Sequence, residues 1–202
     1  MKMKTMALVL CAALIAHGAE EMVRVGGSGR LAIVDACGGL QQDSISGAAG
    51  DIRRILMLDV STPSGGEWSL ADSTRAFAAA DANAAVFVVK DSSLPISLVA
   101  LESKWGVVNA TGLSDGAVKK EILRVATMVL GGAGSHYPAS SMRPAFTAEE
   151  IDTKTGDAIT FDSMMAIFNY IPALGMKQYR MMDREDAVEA GYIKANSSGG
   201  AK

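Results

Sequence analysis

Apolar and polar positions along the chain follow two rhythms. After the glycine turn Gly26–Gly29, Leu31-Ala32-Ile33-Val34 is apolar throughout, the mark of a strand buried on both faces. Ile52 to Val60 (IRRILMLDV) and Ala85-Val86-Phe87-Val88-Val89 read as a second and a third strand. Ile96–Leu101 and Trp105–Thr111 follow as shorter strands joined through Glu102-Ser103-Lys104, the pattern of a hairpin. Between the second and third strands, Ser69–Ala82 is rich in alanine, with Glu67 and Asp72 near its start, and predicts a helix. Beyond the hairpin the period changes. Val118, Ile122, Val125 and Val129, with Ala126 and Leu130 alongside, keep a spacing of three and four, which predicts a helix over Ala117–Leu130 opening near Ser114 or Asp115. Phe161, Met164, Met165, Phe168 and Ile171 mark a further helical stripe that stops before Pro172, and the tail from Asn196 reads as frayed.

The first 19 residues follow neither rhythm. Lys2 and Lys4 lead an apolar run from Thr5 to Ala16, and small residues follow at Gly18 and Ala19. A basic start, a short apolar run and a small-residue end predict a secretory signal peptide over 1–19, with one domain over 20–202 and an exported, periplasmic or secreted product. Spanning a bilayer takes about 20 apolar residues, so no membrane span is expected after cleavage. Removing Lys2 and Lys4 takes the 19 basic side chains to 17 against 22 acidic ones, a net charge of −5 where the full chain has −3. A chain of that sign has no means of releasing phosphate counterions, so nucleic acid is not an expected partner. At 202 residues and 49% apolar, the chain is long and hydrophobic enough to bury a core, which excludes a disordered protein.

Processing also thins the reactive side chains. Cys37 and His136 would be the only cysteine and histidine left, so no internal disulfide is expected. Cys37 closes an apolar run and reads as a small buried hydrophobe. His136 reads as a surface or hydrogen-bonded residue, with a metal ligand facing the cleft as the sharper alternative, and no motif pairs it as a base with a serine nucleophile. Gly131-Gly132-Ala133-Gly134 follows a helix rather than preceding one, so it reads as a cap and chain reversal, not a phosphate cradle. Glu149, Glu150, Asp152, Asp157 and Asp162 have no calcium-loop spacing and read as a polar loop. Arg124 with Glu121 reads as a solvated pair on a helix surface, with a peptide-carboxylate anchor as the sharper alternative.

The order of strands, edge hairpin, long helix, glycine turn, methionine and last helix resembles a zincin metallopeptidase. One branch fits in detail. Archaemetzincins carry H-E-x-x-H-x-x-G-x-x-H-C-x4-C-x-M and, seventeen residues later, C-x-x-C. With the motif glycine on Gly131, the motif methionine falls on Met142. The histidines then fall on Arg124, Met128 and Gly134, and the glutamate on Val125. The four cysteines fall on Ser135, Ser140, Thr160 and Ser163, all hydroxyl residues, without a gap. Trp105-Gly106-Val107-Val108-Asn109 is similar to the strand before the active-site helix of this family, and Glu150-Ile151-Asp152 to its acidic stretch. The resemblance covers roughly residues 30–175. It implies an α/β (α+β) fold with a mixed, mostly parallel sheet, an edge hairpin, a former active-site helix and a C-terminal helix.

It also implies chemistry that these residues do not support. Two imidazoles four apart share one helix face and point at one zinc, while the glutamate takes a proton from the metal-bound water. Arg124 is a permanent cation, Met128 a weak thioether, Val125 takes no proton and Gly134 has no side chain. Serine and threonine hydroxyls do not replace four thiolates at the second zinc. Burial of the Phe161–Ile171 stripe is the expected compensation for that loss. The expectation is therefore an exported pseudoenzyme without metal or other cofactor. Its vestigial cleft would hold an unidentified peptide or protein by strand addition at an edge near Trp105, Val107 and Asn109. A hydrolase with a non-zincin site, or with a metal in the acidic loop, and a structural envelope protein are the alternatives.

Overall fold

The computed structural model describes residues 21–39 and 41–194. The expected signal peptide and the tail from Asn196 lie outside the described residues. The chain divides into two compact units, residues 27–179 and, among the described residues, 21–26 with 180–194. Strand β1 (Met22–Ser28) pairs with a strand near the other end of the chain, Lys177–Asp183, in a two-stranded sheet.

The larger unit is built on five strands. In chain order they are β2 (Leu31–Asp35), β3 (Val60–Ser61), β4 (Ala84–Val89), β5 (Ser97–Ala100) and β6 (Trp105–Asn109), which makes the late strand Lys177–Asp183 β7. Their order across the sheet is β3-β2-β4-β6-β5. The first four run parallel, and β5 alone runs antiparallel, against β6, with Leu98 opposite Val107. The fold is thus mixed α/β with a mostly parallel sheet.

Alternation along the strands explains why they read as unbroken apolar runs. Leu31, Ile33, Val86, Val88 and Val108 face one cluster, shared with helix α1 (Gln42–Leu56) and helix α3 (Asp115–Val129). Ala32, Val34, Phe87, Trp105 and Val107 face the other, where Trp68 and helix α2 (Ser73–Ala79) lie. A strand covered on both faces has no polar side. Trp68 meets Trp105 edge-on at 6.0 Å and Phe87 at 6.2 Å.

One predicted strand is a helix. Ile52–Leu56 forms the last turn of α1, and only Val60–Ser61 pairs in the sheet. The apolar run starting at Ile52 hides a longer pattern: Ile45, Ala48, Ala49, Ile52 and Leu56 are buried at helical spacing. Arg53 and Arg54 occupy the last turn, where cations suit the helix dipole. The chain leaves α1 through Met57 in the left-handed region, φ 53°. Helix α2 is shorter than the expected Ser69–Ala82.

Helix α3 is positioned from both ends. Ser114 accepts the Ala117 amide at 3.2 Å as its N-cap. At the other end Gly131, φ 97°, reverses the chain. A Cβ on Gly131 would stand 2.6 Å from Tyr170 Cβ, so glycine is required by contact as well as by φ. In between, α3 lies close against β6. A Cβ on Gly106 would stand 2.4 Å from Val125 Cγ1 and 3.1 Å from the Leu98 carbonyl oxygen.

Gly106→Ala is expected to lose about 1–3 kcal/mol, because α3 must lift or the strand shift. Gly116→Ala, with open space around it, is expected to stay within about 0.5 kcal/mol or to stabilise. Urea midpoints of the two variants make the comparison.

Candidate functional site

Val125 and Arg124 are neighbours on α3, about 100° apart around the helix axis. Val125 points at Gly106 and is completely buried in the core. That contact turns Arg124 toward β5. Arg124 is 2% exposed and Glu121, one turn earlier, 1%. The Arg124 Nε donates to Glu121 Oε1 at 2.8 Å and Nη2 to the same oxygen at 2.6 Å. Ser97, on β5, joins them: its hydroxyl donates to Glu121 Oε1 at 2.8 Å and accepts from Arg124 Nη2. The remaining Nη1 donates to Met128 Sδ at 3.2 Å. The surface pair expected from the sequence is therefore a buried junction between helix and strand, and its donors are turned inward rather than toward a peptide carboxylate.

A second cation lies near. Lys154, 6% exposed, follows helix α4 (Ala148–Thr153), and its ammonium donates to the Arg143 carbonyl. Burial pushes its pKa down, Glu121 opposes that, and Arg124 adds to it. Two cations thus share the electrostatic neighbourhood of one buried carboxylate.

The segment after α3 returns to the same helix face. The point where a Gly134 Cβ would stand is 3.9 Å from Met128 Cε and 4.0 Å from the Met142 carbonyl oxygen. Met142 is buried, whereas Gly134 is exposed. Arg124 and Met128 are thus bonded directly, and Gly134 and Met142 lie near Met128. Val125, one of the expected cleft positions, is in the core instead.

Three of the four hydroxyl residues accept backbone amides, and the fourth, Ser163, is the partner of one of them. Ser135 accepts the Tyr137 amide and Ser140 the Met142 amide, each at 3.2 Å. Thr160 caps helix α5 (Phe161–Tyr170) by accepting the Ser163 amide at 3.2 Å, and its hydroxyl donates to Ser163 Oγ at 3.1 Å. The stripe on α5 is only half sunk. Ile167 and, just past the helix, Ile171 are buried, but Phe161 is 70% exposed and Met165 also lies open. The expected compensation by burial of the whole stripe is therefore smaller.

The edge strand differs from expectation. β6, with Trp105, Val107 and Asn109, lies between β4 and β5 and is buried along its length. Its Asn109 side chain donates to the Asp91 and Leu94 carbonyls at 2.7 and 3.0 Å. The edge is β5. A hairpin pattern announces two strands without saying which of them pairs onward.

The other candidates are quieter. His136 is exposed on the loop. The Glu150 carboxylate accepts the Phe146 amide at 2.8 Å. Among the described residues no group of three or more His, Cys, Asp and Glu side chains comes together to hold a metal. Cys37 is half-buried, its thiol donates to the Val88 carbonyl at 3.3 Å, and burial, then Asp35, push its pKa up. No helix among the described residues is long and apolar enough to cross a membrane.

No family model matches the sequence, and no curated protein matches it. Solved structures do. The archaemetzincin of Methanopyrus kandleri is 11% identical, with a TM-score of 0.56 over 71% of this chain and 96% of that one. A zinc-dependent peptidase of Methanocorpusculum labreanum is 12% identical, with a TM-score of 0.48 over 69% of this chain and 100% of that one. The fold is archaemetzincin-like. The residues at the motif positions do not fit zinc: a guanidinium and a thioether already taken as an acceptor on α3, and a glycine beyond it, provide no imidazole or thiolate.

Lys154 has a signature in pH. With its native pKa below the ordinary 10.5, the folded chain releases this proton before the unfolded chain does. Stability therefore rises with pH from the lowered native value to the unfolded one. Urea midpoints in the alkaline range, as pH climbs toward the ordinary lysine value of 10.5, should climb more steeply in the wild type than in Lys154→Met. Parallel profiles would place the ammonium in water.

Proposed function

We propose that this chain is a non-catalytic protein on an archaemetzincin-like fold whose cleft takes an extended peptide or protein segment outside the cytoplasm. The single observation that carries the reading is the donor set: where the motif needs three imidazoles and a carboxylate, the chain has Arg124, Met128, Gly134 and a core-facing Val125. No general base or Lewis acid follows from those side chains. The export part of the reading rests on the basic-then-apolar start of the sequence.

Peptide binding draws support from β5. Ser97-Leu98-Val99-Ala100 carries no charge and no proline, two devices that commonly protect an edge. The Asn109 amide donates to the Ile96 carbonyl at 2.8 Å, so alternation turns the main chain of Leu98 toward β6 and that of Val99 outward. An added strand would find its first partners at Ser97 and Val99. The reading with a metal in the acidic loop lacks such support, since Glu150 already caps its own helix.

Two measurements test the proposal. Elemental analysis of the purified chain should find zinc well below one ion per chain, and chelator should leave its thermal midpoint unchanged. An array of extended peptides should yield saturable binders whose affinity falls at least about tenfold when alternate peptide amides are N-methylated. Stoichiometric zinc with peptide hydrolysis would overturn the non-catalytic part, and an array without any saturable binder the other.

A further inference from the structure

The misfit between fold and zinc has a positive side. Glu121 and the Ser97 hydroxyl form an acceptor nest nearly closed to water, at the junction of α3 and the edge strand. Such a nest needs a cation, because an unpaired buried carboxylate is strongly destabilising. Arg124 provides it from within the chain. The guanidinium bonds Glu121 twice, reaches across to Ser97, and spends a further donor on Met128, the next residue on the same helix face. A Cβ added at Gly134 would stand 3.9 Å from Met128 Cε, so a side chain there would reach the helix face that carries residues 124 and 128.

We propose that the Arg124 guanidinium is the resident cation of this site, a covalently attached substitute for a bound metal that ties helix α3 to edge strand β5. The inference concerns what holds the site together and stands apart from whether β5 binds a peptide. Arg124 is a positioning residue here, acting on β5 through Ser97. Lysine could not replace it, because a point ammonium lacks the planar fork that meets Glu121 twice and Ser97 once. Arg124 already takes Glu121 Oε1 through two donors, and the Ser97 hydroxyl donates to the same oxygen.

A purely space-filling role and a cationic one separate by chemical rescue. Arg124→Ala is expected to lower the thermal midpoint by roughly 10 °C. Guanidinium chloride at low millimolar concentration should restore several degrees of that loss, while urea, neutral and of nearly the same shape, should restore none. Equal effects of the two, or no effect of guanidinium on the folded variant, would overturn the proposal. Should Arg124→Ala not fold, circular dichroism reads whether guanidinium, and not urea, lets it fold. The nearness of positions 124, 128 and 134 has its own arm. The triple variant Arg124→His, Met128→His, Gly134→His should gain a midpoint rise with one equivalent of zinc, reversed by chelator, where the wild type gains nothing. A triple variant indifferent to zinc would equally sink the idea.

Discussion

Taking a guanidinium and a carboxylate out of water costs several kcal/mol per ion, and the cost is recovered only where geometry is tight and the remaining polar atoms are met. On helix α3 these conditions hold through the sheet beneath it. Gly106 lets Val125 approach the backbone of β6, that approach fixes the rotation of the helix, and the rotation sets Arg124 and Glu121 under β5. There Ser97 is both donor and acceptor for the pair. With a side chain on residue 106 the helix would sit farther out, and the ion pair would lose its strand partner. A missing Cβ in a strand and a buried charge in a helix are parts of one arrangement.

The fold was largely readable because its strands are doubly covered. Leu31–Val34 and Ala85–Val89 have no polar side, so unbroken apolar runs located them within a residue. Helix α3 announced itself by period and by Ser114. Reading failed where the decisive quantity was not local. Ile52–Leu56 looks extended until the pattern is carried back to Ile45. Which strand of the hairpin forms the edge depends on pairing with β4, as of Trp105 with Ala85, 20 residues upstream. The Glu121–Arg124 spacing is that of countless solvated helix pairs, and nothing within the helix says that Ser97 and α4 cover it.

The site shows the same division. A Cβ built on Gly134 would stand 3.9 Å from Met128 Cε and 4.0 Å from the Met142 carbonyl oxygen, so these positions lie near one another. The backbone has an archaemetzincin-like fold at 11% identity to the archaemetzincin. Hydroxyl residues at 135, 140 and 160 cap turns and a helix, work that needs one oxygen near one amide and no metal, while Ser163 supplies the amide that Thr160 caps. What the residue types could not convey is orientation: Val125 and Arg124 are adjacent in sequence, yet one packs against Gly106 in the core and the other joins Glu121 and Ser97 at a buried polar junction.

Cys37 has a consequence of its own. Its proton is held by the Val88 carbonyl, and both burial and the neighbouring Asp35 disfavour the thiolate. Thiol–disulfide exchange proceeds through the thiolate, and access to the sulfur limits it further. Two copies of this chain meeting in oxidising surroundings would therefore crosslink slowly through this sulfur, and the fold itself acts as the antioxidant.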